Sequence, residues 1–212
     1  LTGREYIADS RTLRFSAEDG LRAGTSYEVR IAAAAGGPRR EEDYSWSFTT
    51  PVPNLSMTTP RAGDESVDIA SGSVVATFDH PANADVFEES DNVRLLAEGV
   101  PVALTGLEYI ADTKTLRFSA EDGLRAGTSY EVRIAAAMGG PRRAGDYSWS
   151  FITPVPNLSM TMPAVGDEAV DIASESIVAT FDHLVNADVF EEPDNVRLLA
   201  GGVPVALTDP EY

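Results

Sequence analysis

The chain has no cysteine, so no disulfide, thiolate metal site or thiol nucleophile contributes to it. It has a single lysine, Lys114, and two histidines, His80 and His183. One histidine per sequence repeat, with no cysteine beside it, cannot assemble a zinc site. No apolar run approaches the length of a membrane span. Positive charge is scarce: 16 basic residues stand against 34 acidic ones, a net charge of -18. Such a surface repels phosphate backbones and anionic lipid headgroups, which argues against nucleic acid and against membrane insertion. The apolar fraction is nevertheless 43%, enough to build packed cores, so the acidity does not mark a disordered tail.

What is present is repetition. Tyr6, Tyr109 and Tyr212 are spaced by 103 residues, as are Trp46 and Trp149, Phe78 and Phe181, and His80 and His183. When residues 1–109 are aligned with 104–212, 90 of the 109 positions are identical. A period of this length with this identity describes one structural unit copied in tandem. The proline-bearing stretch Thr50-Pro51-Val52-Pro53-Asn54, copied at 153–157, reads as a short stiff linker. The expected organisation is a C-terminal half of one repeat at 1–50, a complete repeat at 54–153, and an N-terminal half of the next at 157–212.

Within the complete repeat the patterning is that of strands. Val74, Ala76 and Phe78 share a face, as do Leu116 and Phe118, and as do Tyr147, Trp149 and Phe151. The reading places strands at 55–58, 73–78, 93–96, 101–105, 115–119, 130–136 and 147–151. A short extended piece is expected at 66–69 and one helical turn within 85–92. Short strands at this spacing describe an all-β sandwich of about seven strands. Period-2 aromatics belong inside such a fold, which assigns Tyr147, Trp149 and Phe151 to the core and not to a sugar-stacking platform. Gly36-Gly37-Pro38 and Gly139-Gly140-Pro141 read as hairpin turns. Arg39-Arg40 followed by Glu41-Glu42-Asp43 is a loop of mixed charge.

The stretch Leu21-Arg22-Ala23-Gly24-Thr25-Ser26-Tyr27-Glu28-Val29-Arg30-Ile31, copied without change at 124–134, organises the rest. The order Leu-x-x-Gly-Thr-x-Tyr resembles the tyrosine corner of immunoglobulin-like sandwiches, in which a tyrosine hydroxyl turns back onto the backbone upstream. The succession continues through Gly-Asp-Glu-x-Val-Asp-Ile, Val-Ala-Thr-Phe-Asp-His, Asn-Ala-Asp-Val-Phe and Trp-Ser-Phe-x-Thr. As a whole it resembles the Ig-like domains of bacterial S-layer and other surface proteins. That resemblance covers the full 103-residue period. It implies tandem immunoglobulin-like β-sandwiches, an extracellular or cell-surface location, and a mechanical role in a filament, stalk or surface layer, with homotypic association between neighbouring repeats or protomers. It supplies no catalytic residues.

Candidate sites are few. Asp79, Asp85, Glu88, Glu89 and Asp91 form an acidic group with oxygen ligands suited to calcium, but without the spacing of an EF-hand loop. Asp64, Glu65 and Asp68 form a second group near the linker. His80 and His183 are expected to cap turns. Asn54-Leu55-Ser56 and Asn157-Leu158-Ser159 are N-glycosylation sequons at the linkers. No nucleophile elbow or hydrolase triad occurs, so the expectation is a protein that is not an enzyme. Competing readings are a calcium-stiffened adhesin, a carbohydrate-binding module and an accessory domain of a secreted enzyme.

Overall fold

The computed structural model describes residues 2–34, 43–89, 91–137, 139–141, 145–171, 176–192 and 194–207. The readings of 36–38 and 39–43 as turn and charge-mixed loop fall outside these residues but for Asp43.

The fold is all-β. Residues 2–51 form two hairpins: β1 (Thr2–Ile7) with β2 (Thr12–Ser16), and β3 (Ser26–Ile31) with β4 (Tyr44–Thr49). The middle of the chain carries eight strands. These are β5 (Leu55–Thr59), β6 (Ser73–Phe78), β7 (Val93–Ala97), β8 (Val100–Val102), β9 (Leu104–Ile110), β10 (Thr115–Ala120), β11 (Ser129–Ile134) and β12 (Tyr147–Ile152). They make two antiparallel four-stranded sheets, ordered β5-β6-β10-β9 and β12-β11-β7-β8. A one-turn helix, α1 (Asp85–Glu88), closes the gap between them. Residues beyond 157 repeat the beginning of that plan: β13 (Leu158–Met162), β14 (Val178–Phe181), α2 (Asp188–Glu191), β15 (Leu198–Ala200) and β16 (Val203–Val205).

The alternation read in the sequence is the alternation of burial. Along β12 the side chains of Tyr147, Trp149 and Phe151 point inward and those between them outward. They meet Val74, Ala76 and Phe78 of β6, Leu116 and Phe118 of β10, and Tyr130, Val132 and Ile134 of β11 in one core. Helix α1 contributes Phe87, whose ring lies 5.7 Å from that of Phe78 and 5.0 Å from that of Tyr109. Apolar faces of two twisted sheets, each with a polar outer side, can be buried only against each other, which is why the unit is a sandwich.

Three expectations need correction. The segment read as one strand over 101–105 is two pieces: β8 ends at Val102 and β9 begins at Leu104, in different sheets. Strand β9 itself was not anticipated, because Gly106 at φ 62 and a register shift opposite Arg117–Ser119 break its alternation. The stretch expected to be extended at 66–69 leads into a 3-10 turn over Ile69–Ser71, capped by Asp68, whose carboxylate accepts from the Ala70 amide. The described residues of the complete unit therefore form eight strands, in keeping with the seven or so expected.

Candidate functional site at the joint between repeats

The tyrosine corner is built as its sequence implies. The amide N–H of Arg125 donates to the hydroxyl of Tyr130 at 2.7 Å, and Arg22 does the same to Tyr27 at 2.7 Å. A second side chain secures the same turn from the end of the neighbouring strand β12. Thr153, fully buried, donates its hydroxyl to the Arg125 carbonyl at 2.6 Å and accepts from the Thr128 amide at 2.9 Å. Thr50 makes both bonds to Arg22 and Thr25. This explains the closing Trp-Ser-Phe-x-Thr motif: its threonine ties the last strand to the corner. Gly127 sits at φ 62 in the turn, where an added Cβ would lie 3.1 Å from the Val155 side chain.

The corner also faces the next repeat. Asn186, at the break after β14, places its Oδ1 2.8 Å from the Ala126 amide and donates its Nδ2 to the Leu124 carbonyl at 3.2 Å. Asn83 makes the equivalent contacts to Ala23 at 2.9 Å and Leu21 at 3.4 Å. A carboxamide carries an acceptor oxygen and a donor nitrogen in one plane, so it satisfies a neighbouring N–H and C=O as a backbone partner would. Beside this bracket lies an ion pair, Arg125 to Asp188 at 3.0 Å and its copy between Arg22 and Asp85. These pairs are largely exposed, and such pairs contribute little, so the asparagine bracket carries most of the contact. At the first joint a glycine completes the fit. Asn83 donates its amide to the Gly139 carbonyl at 2.7 Å, and an added Cβ on Gly139 would lie 3.0 Å from Asn83 Oδ1 and 3.2 Å from Arg22 Nε.

The connection between repeats is shorter than its proline-rich sequence suggests. Gly24 donates to the Pro51 carbonyl at 2.9 Å, which holds Pro51 to the first unit. Asn54 is held to the second: its amide donates to Asp79 Oδ1 at 2.7 Å and its Nδ2 to Asp79 Oδ2 at 3.1 Å. Only Val52 and Pro53 lie between, and Pro53 is buried. The backbone amide of Asn54 is the main reason that the Asp79 carboxyl is lowered to about 2. His80 Nδ1 lies 3.0 Å from the same carboxylate, and Lys114 donates to the Asp79 carbonyl at 2.9 Å. Asp182, Asn157 and His183 repeat the clasp, with Asp182 again lowered to about 2, chiefly by the Asn157 amide.

The residues singled out from sequence are thereby placed. Asp79 clasps Asn54, Asp85 faces Arg22, Asp91 pairs with Arg94 at 3.3 Å, and Glu89 accepts from Asn92. Glu88 closes α1. Asp64 accepts from the Arg61 amide and Asp68 caps the 3-10 turn, while Glu65 lies exposed between them. No group of three or more metal-ligating side chains forms among the described residues. At both sequons the asparagine Nδ2, the atom that would carry a glycan, donates to an aspartate and to a backbone carbonyl. In the sequence Asn83 and Asn186 stand only as the first residues of the repeated Asn-Ala-Asp-Val-Phe motif, with no partner assigned to them. Their signal in the sequence was recurrence at one 103-residue spacing beside a proline-rich connection.

Two sandwich sheets, a tyrosine corner and a copied joint define an immunoglobulin-like repeat. Residues 51–153 match the family model of the bacterial Ig-like domain, and over those residues the chain is a bacterial Ig-like domain. Among solved structures it is similar to the S-layer protein rSbsC(31-844), with 14% identity over 61% of this chain and 18% of that one, at a TM-score of 0.35. It is also similar to the N-terminal part of the bacterial S-layer protein SbsC, with 17% identity over 61% of this chain and 31% of that one, at a TM-score of 0.35. The chain thus matches less than a third of the length of either. No curated protein matches it in sequence. No helix among the described residues is long and apolar enough to cross a membrane.

Proposed function

We propose that the chain is a spacing segment of a bacterial surface structure, a run of Ig-like repeats whose joints are braced so that the array holds its direction. The observation that carries this reading is the joint. The same asparagine takes the same two backbone groups of the preceding corner at both junctions, 103 residues apart. A linker meant to swivel would leave these groups to water. Here two residues of free connection and a side-chain bracket limit the swivel. Membership of the bacterial Ig-like family supports a structural role, and the acidic surface suits a protein that must stay soluble while present at high local density.

The location we assign is extracellular, on the cell surface, in a filament, stalk or layer. The described residues are assigned no catalytic step and no resident cofactor, and adhesion, where the whole protein has it, belongs to other segments. Electron microscopy of tandem arrays of this repeat, with and without a calcium chelator, tests the reading. Straight beaded rods in both conditions support it. Rods that collapse on chelation would replace the bracket by calcium as the stiffening element. Flexible chains in both conditions would refute the spacing role.

A further inference from the structure

The asparagine that brackets the first joint is itself held. Its side chain serves the preceding repeat, through Oδ1 to the Ala23 amide at 2.9 Å and through Nδ2 to the Leu21 carbonyl at 3.4 Å. Its backbone is gripped by its own repeat. The hydroxyl of Tyr109, in β9, accepts from the Ala82 amide at 2.9 Å. The Gly139 carbonyl, in the loop after β11, accepts from the Asn83 amide at 2.7 Å. Asn92 donates its Nδ2 to the Val86 carbonyl at 2.7 Å and so fixes the turn that leads from Asn83 into α1. The two sides of the joint are alike. On one, the Tyr27 hydroxyl holds the Arg22 amide and Ala23 follows; on the other, the Tyr109 hydroxyl holds the Ala82 amide and Asn83 follows.

The loop that reaches Asn83 is shaped by its glycines. Gly139 has φ 91, in the left-handed region that favours glycine. Gly139, Gly140 and Pro141 are buried, and Val86, 3% exposed, lies against the two glycines. Val86 is thus covered although it stands outside the core cluster that its neighbour Phe87 joins. An added Cβ on Gly140 would come to 2.6 Å from Val86 Cγ1, well inside the contact distance of two carbon atoms. The fit of Gly140 on Val86 therefore sets how near the loop comes to Asn83.

We propose that Tyr109, Gly139 and Gly140 are positioning residues for the joint: they fix the backbone at Asn83 so that its carboxamide is already aimed at the corner of the preceding repeat. The proposal rests on the reading of the joint as braced and names what makes the brace stiff. An asparagine on a free turn samples several rotamers and gives up that freedom on docking, whereas one set on a held backbone has less to lose. Asn83 lies before Ala103, and Tyr109 and Gly139 lie after it, so both halves of a repeat contribute to the bond it makes with its neighbour. The firmness of the joint then follows the folding of the whole repeat, a coupling between nearest neighbours in the array.

The test uses spin labels at Arg30→Cys in β3 and Arg117→Cys in β10, exposed positions on either side of the joint, in the otherwise cysteine-free 212-residue chain. Pulsed electron resonance is compared for the labelled parent, Tyr109→Phe, Gly140→Ala, and Gly140→Ala combined with Val86→Ala, with circular dichroism to confirm that each is folded. The expected result is one narrow distance distribution in the parent, lost in Tyr109→Phe and in Gly140→Ala, and recovered in the double variant, where the smaller residue at 86 makes room for the added methyl. Recovery separates aim from stability, since Val86→Ala removes buried apolar surface and does not stabilise the repeat by itself. Tyr109→Phe keeps its ring on Phe87, 5.0 Å away, and decides the matter where Gly140→Ala does not fold. A broad distribution in the parent would refute the braced joint itself. A narrow parent distribution left unchanged by either single substitution, or not restored by Val86→Ala, would overturn the positioning role while the brace stands.

Discussion

Tyr130 and Asn186 hold consecutive amides of one turn. The N–H of Arg125 goes to the tyrosine of its own repeat at 2.7 Å, and the N–H of Ala126 goes to the asparagine of the next at 2.8 Å. A device that closes one fold thus also offers the attachment point for its neighbour, and Tyr27 and Asn83 repeat the arrangement.

The two bonds should separate on substitution. Asn83→Ala and Asn186→Ala remove contacts between repeats and none within the core. Each costs about 1 kcal/mol of joint energy. The expected outcome in small-angle scattering is a broader distribution of overall lengths, with the melting of the complete repeat unchanged.

Tyr130→Phe keeps the ring stacked on Phe151, whose centroid is 5.3 Å away, and loses only the hydroxyl. The Arg125 amide is left without its acceptor in a partly buried turn. Chemical denaturation should show a loss of about 1–2 kcal/mol, less than the loss for a truncation of the ring.

Trp46 and Trp149 occupy the same position of the repeat in different surroundings. Trp149→Ala opens a cavity in a closed core and should cost about 3–5 kcal/mol. Trp46→Ala in the same 212 residues, at a position 47% exposed, should change stability by about 0.5 kcal/mol or less. Equal effects at the two positions would contradict this difference in burial.

Acid should loosen the linker clasp. The Asp79 and Asp182 carboxyls are lowered to about 2 from an ordinary 3.8. A group with a depressed folded pKa contributes its full stability above the unfolded value and loses it as pH falls through the folded one. The clasp is therefore intact above pH of about 4 and lost progressively down to about 2. Asp79→Asn should flatten the stability profile of the complete repeat in that window and leave it unchanged in slope near neutrality, a comparison that denaturant titrations from pH 2 to 7 can make.

Much of this architecture is legible from side-chain period and repetition. Tyr147, Trp149 and Phe151 announce a strand with one buried face because each alternates with serine. The corner is legible because the order Leu-x-x-Gly-Thr-x-Tyr contains both its turn and its hydrogen-bond acceptor. Strand β9 was hidden because Gly106 interrupts its pattern and because Pro101–Thr105 reads as one extended run, although the chain changes sheets at Ala103. The bracket was hidden for another reason. An asparagine after a strand satisfies a turn in most sequences, and only the structure shows that Asn83 and Asn186 reach across to residues 62 and 60 positions away. The acidic group from Asp79 to Asp91 looked like one site and is several, because each described carboxylate with a partner finds it in a different direction.

The most direct test of the account is a distance across the joint. Paired spin labels on cysteines introduced at exposed strand positions, one in β3 and one in β9, report that distance by pulsed electron resonance in an otherwise cysteine-free chain. The account predicts one narrow distribution, broadened by Asn83→Ala. A broad distribution in the parent chain, unaltered by the substitution, would show that the repeats swivel freely and would contradict the braced joint.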